Sequence, residues 1–379
     1  MITLENRAAQ IDDLLDKMAE AVQLGDTRYY RMKTSYESVK DWLENDVIFF
    51  KPYHYDVYPH GSVRILTTVK PIGKDEFDLD IVVHLKSNTP HTPQRVYAEL
   101  KRCMDTYARK HDIRIEAKNR CIRLNYAGDF HMDILPGIQE SLLDQNKIKV
   151  PDRELGDWVS SNPRGYSDWF IGKANLIKES LLEKAFRAEK LPSDNFKNKK
   201  PLQRAVQLIK RYRDIYFQKD DTYKTSSIII TTIAGQYYQG EESIFDTINN
   251  IIATISTRVN EPAGRLKILN PVNLQEDFTD KWDEEPEYYE SFKKFAGHLY
   301  KEWQKLKIQH GILSEGLVLK GLFGDDIFIN AQKSQSMMVE ELRKNKSLGT
   351  ERNTGIISSL SSAGTTALKS NTFFGGHEK

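Results

Sequence analysis

Two aspartates one residue apart, Asp78 and Asp80, lie in an apolar run, Phe77–Leu85, whose pattern predicts a strand. Successive residues of a strand point to opposite faces, so both carboxylates share one face and the apolar side chains take the other. Neighbouring carboxylates repel each other unless a cation neutralises them. Hard divalent ions such as Mg²⁺ take oxygen ligands, usually one or two carboxylates together with substrate phosphates. The spacing therefore predicts a metal-dependent site for phosphate chemistry.

Two other stretches strengthen this prediction. Upstream, Gly61 and Ser62 are small residues at which backbone N–H groups can approach a phosphate, particularly if a helix starts there. Downstream, the alternation of residues 130–135 predicts a strand that carries Asp133 on its polar face. Three carboxylates on adjacent strands suit two-metal nucleotidyl transfer. The alternative, an acidic strand end that faces solvent, explains neither Gly61-Ser62 nor Asp133.

The pattern of the remaining chain predicts an α+β fold, with the three aspartates and Gly61-Ser62 in its first half. Helical periodicity covers residues 3–24, 27–45 and 92–110, and the strongly aromatic second helix is expected along the back of a sheet. Pro136-Gly137 is expected to end the strand that carries Asp133, and residues 151–170 are expected to be irregular. From about residue 171 the pattern is helical, while the acidic stretch 272–290 predicts a solvated loop. We predict three parts: a palm lobe with N-terminal helices (1–170), a helical lobe (171–345) and a flexible tail (346–379).

Composition narrows the class of protein. The chain has 379 residues, of which 39% are hydrophobic and 29% charged, with a net charge of +1. This balance provides no overall basic surface for nucleic acid or an anionic membrane. Cys103 and Cys121 are expected to be reduced thiols, and no Cys/His spacing predicts zinc. Without a membrane-length apolar run or a signal-peptide pattern, a soluble cytoplasmic protein is expected.

Three separated motifs resemble one known family. They are Gly61-Ser62-Val63-Arg64 with Phe77-Asp78-Leu79-Asp80, His131-Met132-Asp133-Ile134-Leu135-Pro136, and Asn162-Pro163-Arg164-Gly165-Tyr166-Ser167-Asp168-Trp169-Phe170. The first, together with Asp133 of the second, resembles the signature of the polymerase-β-like nucleotidyltransferase superfamily. Together the three are similar to the bacterial CD-NTases, relatives of cyclic GMP–AMP synthase and the oligoadenylate synthases that serve anti-phage (CBASS) signalling. The resemblance covers about residues 25–345.

The resemblance implies a bilobal enzyme with a mixed-sheet palm, a long back helix and an all-helical lobe. Its implied activity is the joining of nucleoside triphosphates, expected to be ATP and a second one, into a cyclic di- or trinucleotide with release of pyrophosphate. Asp78, Asp80 and Asp133 would hold two Mg²⁺ or Mn²⁺ ions, and Asp133 would help to deprotonate the attacking hydroxyl. Gly61 and Ser62 would hold the donor triphosphate. No obligatory nucleic acid or membrane partner is implied.

The second half contains looser matches to the family. Lys210 and Ser227 correspond to a helix lysine and a helix-start serine that bind the triphosphate in relatives. Both assignments make physical sense, because an ammonium and a helix N-terminus each attract phosphate. Arg164 and Trp169 are expected to stabilise the connection between the lobes rather than to take part in catalysis.

The C-terminal tail and two other functions remain open at this point. Phe373-Phe374-Gly375-Gly376 looks similar to a conjugation signal used by a ubiquitin-transfer-like partner, although His377-Glu378-Lys379 follow it. A non-cyclising nucleotidyltransferase that acts on RNA or protein is an alternative, and so is a catalytically silent nucleotide-binding scaffold. The sequence determines neither the bases, ring size and linkage of the product nor the trigger of activity.

Overall fold

A computed structural model describes most of the chain. The described residues are 4–73, 75–86, 91–176, 196–261, 264–308, 312–352, 357–360 and 365–368.

The described residues of the first half form five helices and seven strands. In order they are α1 (Leu4–Ala21), α2 (Asp26–Glu44), β1 (Tyr55–His60), α3 (Gly61–Arg64), β2 (Phe77–Leu85), α4 (Pro93–His111), β3 (Arg114–Ala117), β4 (Ile122–Tyr126), β5 (Phe130–Gln139), β6 (Ile148–Asp152), β7 (Asp157–Ser161) and α5 (Pro163–Ala174).

The described part of the second half is mostly helical. After a 3-10 turn at Phe196–Asn198 come α6 (Pro201–Tyr216), α7 (Ser227–Tyr237), α8 (Ile244–Val259), β8 (Leu269–Asn270), β9 (Asn273–Asp277), α9 (Lys281–Glu284), α10 (Glu287–Ile308), α11 (Ile312–Phe323), α12 (Asp325–Lys344), β10 (Leu348–Glu351), β11 (Ile357–Ser359) and β12 (Thr365–Ala367).

A mixed sheet forms the palm. Its central order is β1-β2-β5-β4-β3, with β6 paired to β5 and β7 to β6. The β2–β5 pair is parallel and the other pairs are antiparallel. One sheet face packs against α2 and α4 in a hydrophobic core that includes the apolar residues of β2. The α+β fold, the mixed-sheet palm and the long back helix are thus confirmed.

A second core joins the helices of the other lobe. It contains buried residues of α5–α8 and α10–α12, centred on side chains such as Trp303, Phe292 and Ile248. Helix α1 contributes Leu15, Met18 and others to this core. The sequence pattern predicts α1 as part of the palm lobe, whereas its apolar stripe is buried among the second-half helices, where α8 and α12 are its neighbours.

Several element boundaries differ from the predictions for physical reasons. Strand β5 continues through Pro136 to Gln139, because β2 pairs along it as far as Ile138. Within residues 151–170, which were expected to be irregular, Asp157–Ser161 form β7 and the first two turns of α5 begin at Pro163. Asn162 caps α5, its side chain accepting a hydrogen bond from the N–H of Gly165, and Pro163 takes the first helical position, which needs no N–H donor.

The C-terminal region also differs from the prediction of a flexible tail. Strands β10, β11 and β12 form a small antiparallel sheet, and α12 contacts β10 and β11. The Phe373–Gly376 motif lies outside the described residues. None of the described helices combines the length and apolar character needed to span a membrane.

Candidate active site

A cavity of about 700 Å³ separates the polar face of the palm sheet from α6 and α7. All seven residues singled out for catalysis or phosphate binding line it: Gly61, Ser62, Asp78, Asp80, Asp133, Lys210 and Ser227. They come from β2, β5, α3 and two helices of the second half. The fold therefore brings together residues that lie as far as 166 positions apart in the sequence.

The parallel pairing of β2 with β5 places the three carboxylates together. In this register Asp80 lies beside Asp133 and Asp78 lies beside His131. On the opposite face Leu79, Ile81 and Met132 are fully buried. The predicted division of both strands into an apolar and an acidic face is confirmed.

Electrostatics in this cluster favour a cation. Burial, together with the negative charges of Asp78 and Asp133, raises the pKa of Asp80 to about 8. Three oxygen-rich side chains on adjacent strands have the chemistry that hard divalent ions require. As placed, however, no group of three or more acidic, histidine or cysteine side chains among the described residues is close enough to hold a metal ion.

Gly61 turns the chain directly beneath the carboxylates. It has a φ of +59°, and a β-carbon at this position would collide with Oδ2 of Asp80. Only glycine combines this left-handed conformation with so close an approach. The next residue, Ser62, accepts a hydrogen bond from the Thr68 hydroxyl at 3.2 Å.

Helix α6 anchors the loop that follows Gly61-Ser62. Along one face of α6, Gln203 donates to the carbonyl of Ile65 (3.0 Å) and Gln207 to that of Thr68 (2.7 Å). Lys210 donates to the Thr67 hydroxyl at 3.0 Å. Burial lowers the pKa of Lys210 to about 7. The ammonium is thus held at the cavity wall by the loop itself, rather than extended into solvent.

Comparison with known proteins identifies the fold and the class. The sequence profile of the Second Messenger Oligonucleotide or Dinucleotide Synthetase domain matches residues 10–174. A c-di-GMP synthase of Roseivirga ehrenbergii is 40% identical over 348 residues, 91% of this chain and 92% of that protein. The chain belongs to the CD-NTase family. It is therefore a polymerase-β-like nucleotidyltransferase that makes cyclic second messengers.

More distant CD-NTases have the same architecture. Cyclic dinucleotide synthase CdnG of Bradyrhizobium diazoefficiens is 24% identical over 92% of this chain and 89% of its own. The structure of the Bradyrhizobium diazoefficiens CdnG in complex with GTP superposes with a TM-score of 0.70 at 21% identity, covering 86% of this chain and 99% of that one. At this level of identity the superposition shows the fold alone.

A cationic side chain that the sequence pattern does not predict lies at the carboxylates of this CD-NTase. Arg123, on β4, donates through Nε and Nη2 to both oxygens of Asp133, each at 2.7 Å. Its Nη2 also lies 3.2 Å from Oδ1 of Asp78. The alternation of Ile122–Tyr126 does place position 123 on a polar face, but only the β4–β5 register aligns it with Asp133.

The helical wall carries two more cations that were not predicted. Arg213 and Lys224 both line the cavity and both donate to Oδ1 of Asp214, at 2.6 Å and 3.0 Å. Lys224 lies just before α7, at whose start Ser226 makes no side-chain capping bond and Ser227 lines the cavity. In the sequence, the position of Lys224 three residues before Ser227 is the pattern that could have indicated a cation at this site.

One residue of the acidic stretch 272–290 lines the cavity and is not part of a solvated loop. Glu276 of β9 accepts hydrogen bonds from the Ser161 hydroxyl (2.9 Å) and the Asn270 amide (2.6 Å). Burial raises its pKa. The solvated-loop prediction is wrong for Glu276, because its carboxylate connects the β8–β9 hairpin to the end of β7 beside α5.

Proposed function

We propose that this CD-NTase joins two GTP molecules into cyclic di-GMP through two successive nucleotidyl transfers. The observation that carries the proposal is the convergence of Asp78, Asp80 and Asp133 on the cavity lined by Gly61, Ser62 and the cationic helical wall. The choice of GTP, in place of the ATP expected from sequence, rests on the relative named c-di-GMP synthase.

In each transfer a ribose hydroxyl oxygen of the acceptor forms a bond to the α-phosphorus of the donor. The bond from that phosphorus to the oxygen bridging the β-phosphate breaks, and pyrophosphate leaves with the electron pair. Asp133 accepts the hydroxyl proton. The three carboxylates supply the oxygen ligands that two divalent cations, Mg²⁺ or Mn²⁺, would take, and such cations when bound would supply activation of the hydroxyl and charge neutralisation at the triphosphate.

The protein groups around the cavity then position the donor. Backbone N–H groups of α3, which begins at the glycine turn, and of the first turn of α7 provide hydrogen-bond donors for phosphate oxygens. Lys210 uses one or two of its three N–H bonds on Thr67, and the remainder are available for the triphosphate. Arg213 and Lys224 add positive charge on the same side.

A product assay tests this proposal. Purified protein is incubated with labelled GTP, ATP or both, with Mg²⁺ or Mn²⁺, and phosphatase-resistant products are identified by mass spectrometry. Cyclic di-GMP from GTP alone is expected. Mixed cyclic products would revise the choice of base, whereas extended RNA or labelled protein would indicate a non-cyclising nucleotidyltransferase.

Asp80→Asn is the matched loss-of-function variant, because it keeps the shape of the side chain and removes one charge. We expect product formation to fall about 100-fold or more, since charge stabilisation by bound metal is worth several kcal/mol. Equal product from both proteins would contradict the assigned role. No product from either protein would favour a silent scaffold.

We further propose a cytoplasmic role in anti-phage signalling, since nucleoside triphosphates are cytoplasmic substrates. We also retain the proposal that a ubiquitin-transfer-like partner conjugates the tail after trimming to Gly376. Intact mass measurement of the chain expressed beside its neighbouring genes should show loss of residues 377–379 and tail-linked adducts. An unchanged mass would argue against conjugation.

A further inference from the structure

Arg123 has two sets of acidic neighbours, one on each side of its strand. Toward β5 its register partner is Asp133, and its guanidinium holds both oxygens of that carboxylate and also reaches Asp78. Toward β3 its register partner is Glu116. All four side chains lie on the same polar face of the sheet, because register partners in a sheet project from the same face.

The guanidinium satisfies the carboxylates that the proposed cations need. A bidentate arginine–carboxylate pair is among the strongest charge-assisted contacts, and it directs two N–H groups at the two oxygens of one carboxylate. A divalent ion needs oxygens of the same groups and repels a neighbouring guanidinium. Arginine does not lose its charge in proteins, so it leaves this place only by moving.

Space and a receiving carboxylate are available on the other side of β4. A second cavity of about 900 Å³ lies over β3 and β4 and is lined by Arg123, Glu116, Asn125 and Arg114, among others. Glu116 currently accepts from Lys118 at 2.6 Å, from Arg114 and from the Asn125 amide at 3.3 Å. A carboxylate has about four acceptor positions, so one remains on Glu116 for an N–H group of Arg123.

We propose that Arg123 is a displaceable internal cation: without metal it bridges Asp133 and Asp78, and divalent metal binding transfers its guanidinium toward Glu116. The proposal rests on the proposed function for its metal site. Arg123 is a positioning residue in this scheme, because it acts through two proposed metal ligands and does not itself contact the substrate. It also accounts for the absence of a preformed three-ligand metal cluster among the described residues.

Manganese binding to the nucleotide-free protein tests the proposal without turnover. Mn²⁺ affinity is measured by electron paramagnetic resonance for the wild type, Arg123→Met and Arg31→Met. Arg31 is the matched control, because it lines the same cavity and pairs with Asp129 rather than with Glu116 or the three aspartates. We expect Arg123→Met to bind Mn²⁺ at least about tenfold more tightly, since a competing cation is removed, and Arg31→Met to stay within about twofold of the wild type.

The variant Glu116→Gln provides a second test, in which Mn²⁺ affinity is expected to change in the opposite direction. Removing the receiving carboxylate should weaken Mn²⁺ binding in the wild-type background and have no effect in Arg123→Met, because the two residues act through one transfer. Circular dichroism checks that each variant is folded, and Arg123→Gln replaces Arg123→Met if the latter is not. Unchanged or weaker Mn²⁺ binding by the folded Arg123 variant, or additive effects in the double variant, would overturn the proposal.

The two proposals can fail separately. If the wild type makes no cyclic product while Arg123→Met binds Mn²⁺ more tightly, the internal cation stands and the cyclic di-GMP function falls. If cyclic di-GMP is made and the affinities are equal, the function stands and the role of Arg123 is overturned.

Discussion

Gly61 lies so close to Asp80 that position 61 has no room for a side chain pointing toward Oδ2 of that carboxylate. The turn that is proposed to bind phosphate and the acid that is proposed to bind metal are therefore in direct contact. Movement of either one displaces the other.

Gly61→Ala should consequently damage activity more than stability. The positive φ costs an alanine about 1–2 kcal/mol, and the new β-carbon pushes Asp80 from its position. Misplacement of a reacting group by about 1 Å can cost about 100-fold in rate, so we expect kcat for cyclic product to fall by about that factor. Gly73→Ala is the control, because Gly73 also has a positive φ but nothing within 4 Å of a β-carbon. Equal rates for the two variants would contradict the close-approach argument.

Lys224→Met should weaken nucleotide binding. Lys224 lines the cavity beside the start of α7 and is held by Asp214. Hydrogen bonds to charged groups are worth about 1.5–3 kcal/mol, so we expect KM for GTP to rise about tenfold or more with a smaller change in kcat. Lys219, an exposed lysine in the same segment, provides the matched control Lys219→Met. A KM for Lys224→Met that equals that of the control would remove Lys224 from the binding site.

Lys210→Met should change the dependence of stability on pH in the metal-free protein. Burial lowers the pKa of Lys210 from 10.5 to about 7. Between these values the unfolded state binds more protons than the folded state, so this lysine makes wild-type stability rise with pH across that window. The Tm of the variant minus that of the wild type should therefore be largest near pH 7 and shrink toward pH 10.

Calorimetry at pH 7, 8.5 and 10 measures this difference. Lys307→Met is the control, because Lys307 is exposed on α10. A Lys210→Met difference that stays constant with pH would show that the lysine is not desolvated in the folded protein.

Arg164→Lys should destabilise the connection between the palm and α5. The guanidinium of Arg164 lies 4.0 Å from the centre of the Tyr58 ring and 3.4 Å from Oδ2 of Asp56. Lysine preserves the charge but cannot stack as a plane while it pairs with the carboxylate. We expect a loss of about 1–2 kcal/mol in the free energy of unfolding, measured by urea denaturation. Arg153→Lys, which replaces an arginine lying over the Tyr97 ring at the outer edge of the palm, is the comparison. An unchanged midpoint for Arg164→Lys would show that charge alone is enough at this position.

The sequence by itself determined the acidic faces of β2 and β5, the glycine turn and the helical second half. Each of these follows from a local rule: side chains alternate with period two in a strand, a helix has a period of 3.6, and glycine permits turns that other residues resist. The motif spacing, compared with one family, then allowed the enzyme class to be predicted. The same local rules failed where tertiary packing decided, as at Pro136 and in the assignment of α1 to a lobe.

Only the tertiary structure decided what surrounds the carboxylates. Arg123 meets Asp133 through strand register, and Gln207 and Lys210 meet the Thr67–Thr68 loop about 140 residues away through helix packing. Glu276 meets Ser161 across 115 positions. Such contacts depend on which distant segments pair and at what offset. Hydrophobic burial over the whole fold determines that choice, and no local spacing of residues encodes it.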